Sequence, residues 1–371
     1  MKKKIIISVC ITLLIIIIIS GIFYINYEYK NSNDYKLKQL KYSDTAIKII
    51  ERENIEKKVL KNEYSKTLEI ALIKNEFDYN NLDLYFNMDY INKDDYIEKL
   101  NILSKLGYDL SEIKFILKNI NYSDLDYITN NEYISNLKDY LKYKYFKISN
   151  LNRYIDYRNN NNLDIQNVIL NVNMNLDKEP YEYYNTITDT ENILILVNKY
   201  NKLPDNYEPN DLNKINSNNS IRELYLKKEA CDAFELMCND AKTLGLNIIA
   251  ISSYRTKEYQ KNLYNDYVNR NGVTKADTYS ARPRFSEHET GLALDVMGSN
   301  KNYTKFAYTN EYEWVKENAY NYGFIIRYPE NKEDITKYIY ESWHLRYVGK
   351  DVAKYIYDNN LTLEEYLALG N

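Results

Sequence analysis

The sequence predicts an α+β fold in its carboxyl-terminal part, a small antiparallel sheet flanked by helices, preceded by a mostly α-helical region and one transmembrane helix. Three observations carry this reading. An uncharged apolar run follows the first lysines, residues 26–184 are nearly free of Gly and Pro and repeat helix-start patterns, and beyond about Asn192 helical and strand-like segments mix without a βαβ rhythm. The 371 residues are 44% hydrophobic and 27% charged, which suits packed cores and excludes a wholly disordered chain, a collagen or a coiled rod. With 49 basic against 53 acidic residues the net charge is −4, so no overall positive field gathers phosphate backbones, and nucleic acid is not an expected partner. The 42 tyrosines identify no function by themselves.

Lys2, Lys3 and Lys4 precede residues 5–25, a stretch without a charge. At 1.5 Å rise per residue it is long enough for a hydrocarbon core of about 30 Å. The basic flank before it and Glu28 after it predict residues 1–4 inside and the bulk of the chain outside. The run is longer than the 7–15 residues usual for a cleaved signal, and no small-x-small site follows it, so an uncleaved anchor is expected. Cys10 lies within this run. Cys231 and Cys238 fall seven positions apart in one helix, about 10 Å between backbones, beyond disulfide reach, and read as small core residues.

Residues 26–184 read as short helices packed irregularly, a spacer between the anchor and the rest. Asp109 with Glu112 forms a capping-box pattern ahead of Ile113, Ile116, Leu117 and Ile120. Similar starts stand at Tyr42-Ser43-Asp44 and Tyr122-Ser123-Asp124, and their spacing shows no fixed period, which argues against a solenoid. The final domain is expected over residues 185–371. Within it the reading is a strand at 193–197, loops at Pro204 and Pro209, the cysteine-bearing helix, a buried strand at 248–251 and a helix at 257–270. A strand at 291–297, a helix carrying Trp314 at 311–323, and either a last strand pair or a strand and turn at 338–348 complete it.

Only two histidines exist in the chain, His288 in SEHETGLALD and His344 in ESWHLRYVG. Asp295 stands seven positions after the first, at the end of the 291–297 strand, and Glu341 three before the second. A zinc centre for hydrolysis needs three protein ligands and one open position for water, and His288, Asp295 and His344 supply that number. Glu341 is then free to act as a base toward metal-activated water. Spacing alone leaves a second reading open, in which the histidines are hydrogen-bonded structural residues and Asp295 caps a strand.

The ordered set SSYRTKEYQ, ARPRFSEHETGLALDV and ESWHLRYVG resembles the zinc D-alanyl-D-alanine carboxypeptidases of the VanY type, with their S-x-H-x-x-G-x-A-x-D and E-x-W-H signatures. The resemblance covers about residues 192–349. It implies Zn2+ held by His288, Asp295 and His344, Glu341 as general base and Arg255 as the active-site arginine. It also implies removal of the terminal D-alanine from peptidoglycan stem peptides, outside the membrane. Arg284 stands where many relatives carry Gly, and Glu289 where Gln is common. A carboxypeptidase must hold a free carboxylate, and Ser286, Arg282 and Arg284 offer donors of the right kind, a solvated basic loop being the other reading of the two arginines. Glu287 is expected to face solvent if its segment is extended. An L,D-carboxypeptidase acting on tetrapeptide stems, and a zinc-stabilised wall-binding module that does not cut, are the competing functions.

Overall fold

The computed structural model describes residues 2–370, with side chains described from Val9 onward. Met1 and the side chains of residues 2–8, on which the expected inner end and the start of the anchor fall, lie outside the described residues. A helix runs over Lys2–Asn31, and its part Val9–Asn31 is long and apolar enough to cross a membrane, with none of it buried. That is compatible with a single-pass anchor.

The chain divides into two compact units, Met1–Lys142 and Tyr143–Asn371. Beyond the helix Lys2–Asn31 the first consists of short helices, some of whose starts are written in the sequence. Ser43 accepts from the Ala46 N–H to cap Asp44–Arg52, whose Ala46, Ile47 and Ile50 are buried. Asp109 and Glu112 make the reciprocal capping box that opens Leu110–Asn119, burying Ile113 and Ile116. Tyr122–Asp124 differs from expectation: it is a single 3-10 turn, and the helix after it, Leu125–Thr129, has no side-chain cap.

The second unit begins well before residue 185. Helices Leu151–Asn160 and Ile165–Asn173 belong to it, and Asn173 donates to the Ala368 carbonyl near the other end of the unit. Two small ladders follow, β1 (Asn185–Thr186) parallel to β2 (Asn201–Lys202), and β3 (Leu212–Lys214) antiparallel to β4 (Tyr225–Lys227). The central sheet comprises β5 (Ile249–Ser252), β6 (Ala293–Met297), β7 (Phe324–Tyr328) and β8 (Glu341–Tyr347), in the order β5-β6-β8-β7, with every pairing antiparallel. Alternation gives the sheet two faces. Leu294, Val296, Leu345 and Phe324 enter the main core with Phe234, Met237 and Cys238 of the helix Lys228–Thr243. On the other face stand Asp295, His344 and Arg346, while Ile325 packs with Ala353, Ile356 and Leu363 of the last helices.

One strand expectation is overturned and another is narrowed. The β-rich run at 193–197 forms no strand, because its carbonyls are engaged by a side chain: Arg346 Nη2 donates to Ile193 O and Ile195 O, each at 2.8 Å. Of the two readings of 338–348, the structure has the single strand, β8, and its partner is β7.

Candidate metal centre

Sheet register assembles the site. Asp295 on β6 lies directly opposite His344 on β8, and Ser252 on β5 pairs Asp295 from the other side. An E-x-x-H spacing would put Glu341 and His344 on opposite faces of a regular strand. The pairing resolves this: Ile326 matches Leu345 and Tyr328 matches Glu341, so β8 advances four residues against two of β7. This irregularity turns both side chains to one face. His288 arrives on a single 3-10 turn, Glu287–Thr290, which ends at Gly291 in a left-handed conformation, φ 73°. A side chain at Gly291 would also meet Leu212 and the Lys227 backbone nitrogen.

One ligand atom from each of His288, Asp295 and His344 lies within 4.8 Å of the other two, and all three residues are buried. His288 Nε2 is 3.4 Å from Asp295 Oδ2, and His344 Nδ1 is 3.4 Å from Asp295 Oδ1 and 3.4 Å from Glu341 Oε2. His288 Nδ1 lies 2.8 Å from the Ser253 carbonyl, which assigns the proton to Nδ1 and leaves the Nε2 lone pair for a cation. Two imidazole nitrogens and a carboxylate oxygen are the donor types a divalent transition metal takes, and Glu341 stands beside them as a second carboxylate outside that set.

Burial and neighbouring charges set the protonation of these groups. Burial, aided by Arg255, pushes His288 down to about 4, so it is neutral at physiological pH. Burial would raise Asp295, but His288 and Arg255 outweigh it and keep the carboxylate ionised. Burial also works against charge on His344, yet the adjoining carboxylates Glu287 and Glu341 raise it to about 9. Burial raises Glu341 as well.

Arg255 is fixed by three partners: Nη2 donates to Asp295 Oδ2 at 2.8 Å, Nε and Nη2 to Ser252 Oγ, and Nη1 to Gln260 Oε1 at 3.3 Å. Gln260 in turn donates to the Ala281 carbonyl. A cleft of about 380 Å³ opens over these groups, lined by Arg255, Ser286, His288, Asp295, Glu341 and His344, with Trp343 and several tyrosines in its wall.

The family described as VanY, D-alanyl-D-alanine carboxypeptidase, matches residues 223–350. The Bacillus subtilis (strain 168) protein YodJ, named as a carboxypeptidase, is 50% identical over 188 residues, 49% of this chain and 69% of that protein. The chain belongs to the VanY family. The bifunctional D-Ala-D-Ala dipeptidase and D-Ala-D-Ala carboxypeptidase VanXYC of Enterococcus gallinarum is 35% identical over 181 residues, 47% of this chain and 93% of that protein. A solved LD-carboxypeptidase, LdcB, is 49% identical, covering 50% of this chain and 89% of that one with a TM-score of 0.47.

Against this VanY-family frame, the other site expectations separate. Ser286 lines the cleft, but Arg282 and Arg284 do not. Arg282 pairs with Asp277 and lies over the Tyr181 ring. Arg284 is buried and turned away, donating to Glu289, Tyr207 O and Asp205 O. Its φ of 72° lies in the left-handed region, where Gly would sit without strain. The two departures from the family pattern are thus each other's partners. Glu287 also differs from expectation. The turn is 3-10 and not extended, and Glu287 points inward, 2% exposed, against Arg327 and Arg346.

Proposed function

We propose that the chain is a zinc-dependent D-alanyl-D-alanine carboxypeptidase that removes the terminal D-alanine from peptidoglycan stem peptides. The observation that carries this reading is the convergence of His288, Asp295 and His344, with Glu341 3.4 Å from His344 Nδ1 and outside the triad. His288 Nε2, Asp295 and His344 Nδ1 would hold Zn2+, which when bound lowers the pKa of water and polarises a carbonyl.

The remaining steps belong to the chain's own groups. Glu341 takes the proton from the attacking water as its oxygen bonds to the scissile carbonyl carbon. It returns that proton to the amide nitrogen as the C–N bond breaks, and the proton left on the new hydroxyl also passes to the amine, so the products are a shortened peptide carboxylate and free D-alanine as its ammonium. Its burial supports this role, since a carboxyl raised above its ordinary value is a stronger base. Arg255, immobilised by Ser252, Gln260 and Asp295, presents a planar cation where negative charge develops or where the substrate carboxylate rests. Ser286 offers a hydroxyl to the same carboxylate. Residues 26–142 serve as a spacer, residues 143–184 being part of the second unit, and the apolar helix holds the catalytic domain to the membrane on its extracytoplasmic side, where the wall is.

The test is D-alanine release by the purified protein from pentapeptide and tetrapeptide stems, with and without a chelator. Release from the pentapeptide that stops on chelation and returns with Zn2+ is expected. Turnover of the tetrapeptide alone would replace the reading with an L,D-carboxypeptidase. Bound zinc without turnover of either would replace it with a wall-binding module.

A further inference from the structure

His344 has two ring nitrogens, and only Nδ1 faces the triad. Nε2 points the other way, into the protein, where it is buried without a hydrogen-bond partner. Across from it lies Glu287 Oε2, buried and also without a partner, 3.8 Å away. Leaving two such atoms unpaired in a protein interior is unfavourable, about 1–3 kcal/mol each, and here each is the complement of the other. The separation is that of an ion pair, slightly longer than a hydrogen bond.

The carboxylate is held where it is by its other oxygen. Glu287 Oε1 accepts from Arg327 Nε and Arg346 Nη1, both at 2.7 Å, and neither guanidinium is exposed. Arg327 is fixed in turn by a two-pronged bond to Glu364, at 2.7 and 2.8 Å. Arg346 is fixed by the carbonyls of Ile193, Ile195 and Tyr347. With Oε1 so occupied, Oε2 is left directed at the imidazole. Charge balance alone would need no such direction.

We infer that Glu287 is a positioning residue for the metal centre: it accepts the His344 Nε2 proton, fixing the tautomer in which the Nδ1 lone pair is free for the cation. This rests on the zinc reading above. A ligating imidazole whose far N–H is anchored by a carboxylate keeps its orientation and gains basicity, and loss of such a partner typically costs 10–100-fold in metal affinity.

Glu287→Gln is the informative substitution. Its amide oxygen can still accept from both arginines, while its NH2 group then faces His344 Nε2. A donor there favours a bare Nε2 and a proton on Nδ1, the tautomer that cannot bind metal through Nδ1. The experiment uses the full chain in detergent, with Zn2+ affinity measured by competition against a chromophoric chelator. The same protein carries 15N-labelled histidine, and with only two histidines in the chain the ring spectrum contains four nitrogens.

The expected result is 10–100-fold weaker Zn2+ binding by Glu287→Gln, with the His344 Nε2–H signal displaced and the His288 signals retained. Unchanged affinity and unchanged His344 signals would overturn the inference whatever the melting temperature does, since a purely structural counter-charge predicts that outcome. If the variant does not fold, the zinc-loaded parent decides: metal on Nδ1 with a hydrogen-bonded Nε2–H supports the inference, and metal on His344 Nε2 overturns it. A parent chain that takes up no zinc overturns the function proposed above and this inference together, whereas zinc binding and turnover insensitive to Glu287→Gln remove this inference only.

Discussion

The two compact units treat buried charge differently. Among the described residues of the first unit, the buried polar side chains are Ser65, Thr67, Glu69, Asn81 and Lys99. The ion pairs there keep one partner in water: Lys99 bridges Asp95 and Asp126, whose side chains are 44% and 65% exposed. In the second unit Glu287, Arg327, Arg346 and Glu364 are sealed together at 0–2% exposure, and Asp295, Glu341 and both histidines are buried beside them. Removing such groups from water costs several kcal/mol per ion before pairing restores it. The first unit keeps its charges in water and avoids that cost, while the function proposed for the second unit, holding a cation and moving a proton, would need fixed charges in a water-poor setting.

The largest test of this contrast is Glu341→Gln. If Glu341 is buried for chemistry, removing its charge should lower D-alanine release by about 10²–10⁴-fold while the bound zinc remains. Burial disfavours its ionised form, so the neutral amide should leave the melting temperature unchanged or higher. A large fall in melting temperature with modest loss of turnover would mean that the carboxylate serves the fold.

The second test concerns a buried pair away from the chemistry. Arg284 and Glu289 are 5% and 1% exposed, and their bonds tie the 203–207 loop to the turn that carries His288. Arg284→Ala strands a buried carboxylate and should cost about 3–5 kcal/mol. Burial pushes Glu289 up even with Arg284 present, so protonation holds the loss near the lower figure. Arg284→Gly recovers about 1–2 kcal/mol of left-handed backbone strain. The double variant Arg284→Gly with Glu289→Gln, read by thermal melting, should return within about 1 kcal/mol of the parent because no charge is left unpaired. Simple addition of the two single losses would show that the pair is not a coupled unit.

These residues also mark what the sequence could say. Local grammar was legible: the Ser43 and Asp109 caps, the cysteine-bearing helix, the helix Lys257–Asn271 and strands β5 and β6 all depend on neighbours in sequence. The convergence of His288, Asp295 and His344 was legible because scarce histidines stand beside acidic residues in segments that resemble a known family. What escaped depended on partners far along the chain. The 193–197 run has a strand's composition, but Arg346, more than 150 positions away, takes its carbonyls. An extended segment would aim Glu287 at solvent, and one 3-10 turn reverses its direction. Arg282 and Arg284 had the charge for a substrate carboxylate, yet Asp277 and Glu289 already hold them.

The smallest expected effect lies in the first unit and probes the other side of the contrast. Asp109 Oδ1 accepts from the Glu112 N–H at 2.8 Å, Glu112 Oε2 accepts from the Asp109 N–H at 3.0 Å, and Asp109 is exposed while Glu112 is half-buried and also accepts from the Tyr133 hydroxyl. Asp109→Ala removes one acceptor and frees the other side chain, without stranding anything in an apolar interior, because water replaces the lost bond. The expected cost is therefore that of a helix cap, about 1 kcal/mol, and local to the helix Leu110–Asn119. Hydrogen exchange should show faster exchange of the amides at 110–113, with D-alanine release unchanged. A loss of several kcal/mol, or a fall in turnover, would mean that the helical unit depends on its polar groups as the catalytic unit does, and the distinction between the two would not hold.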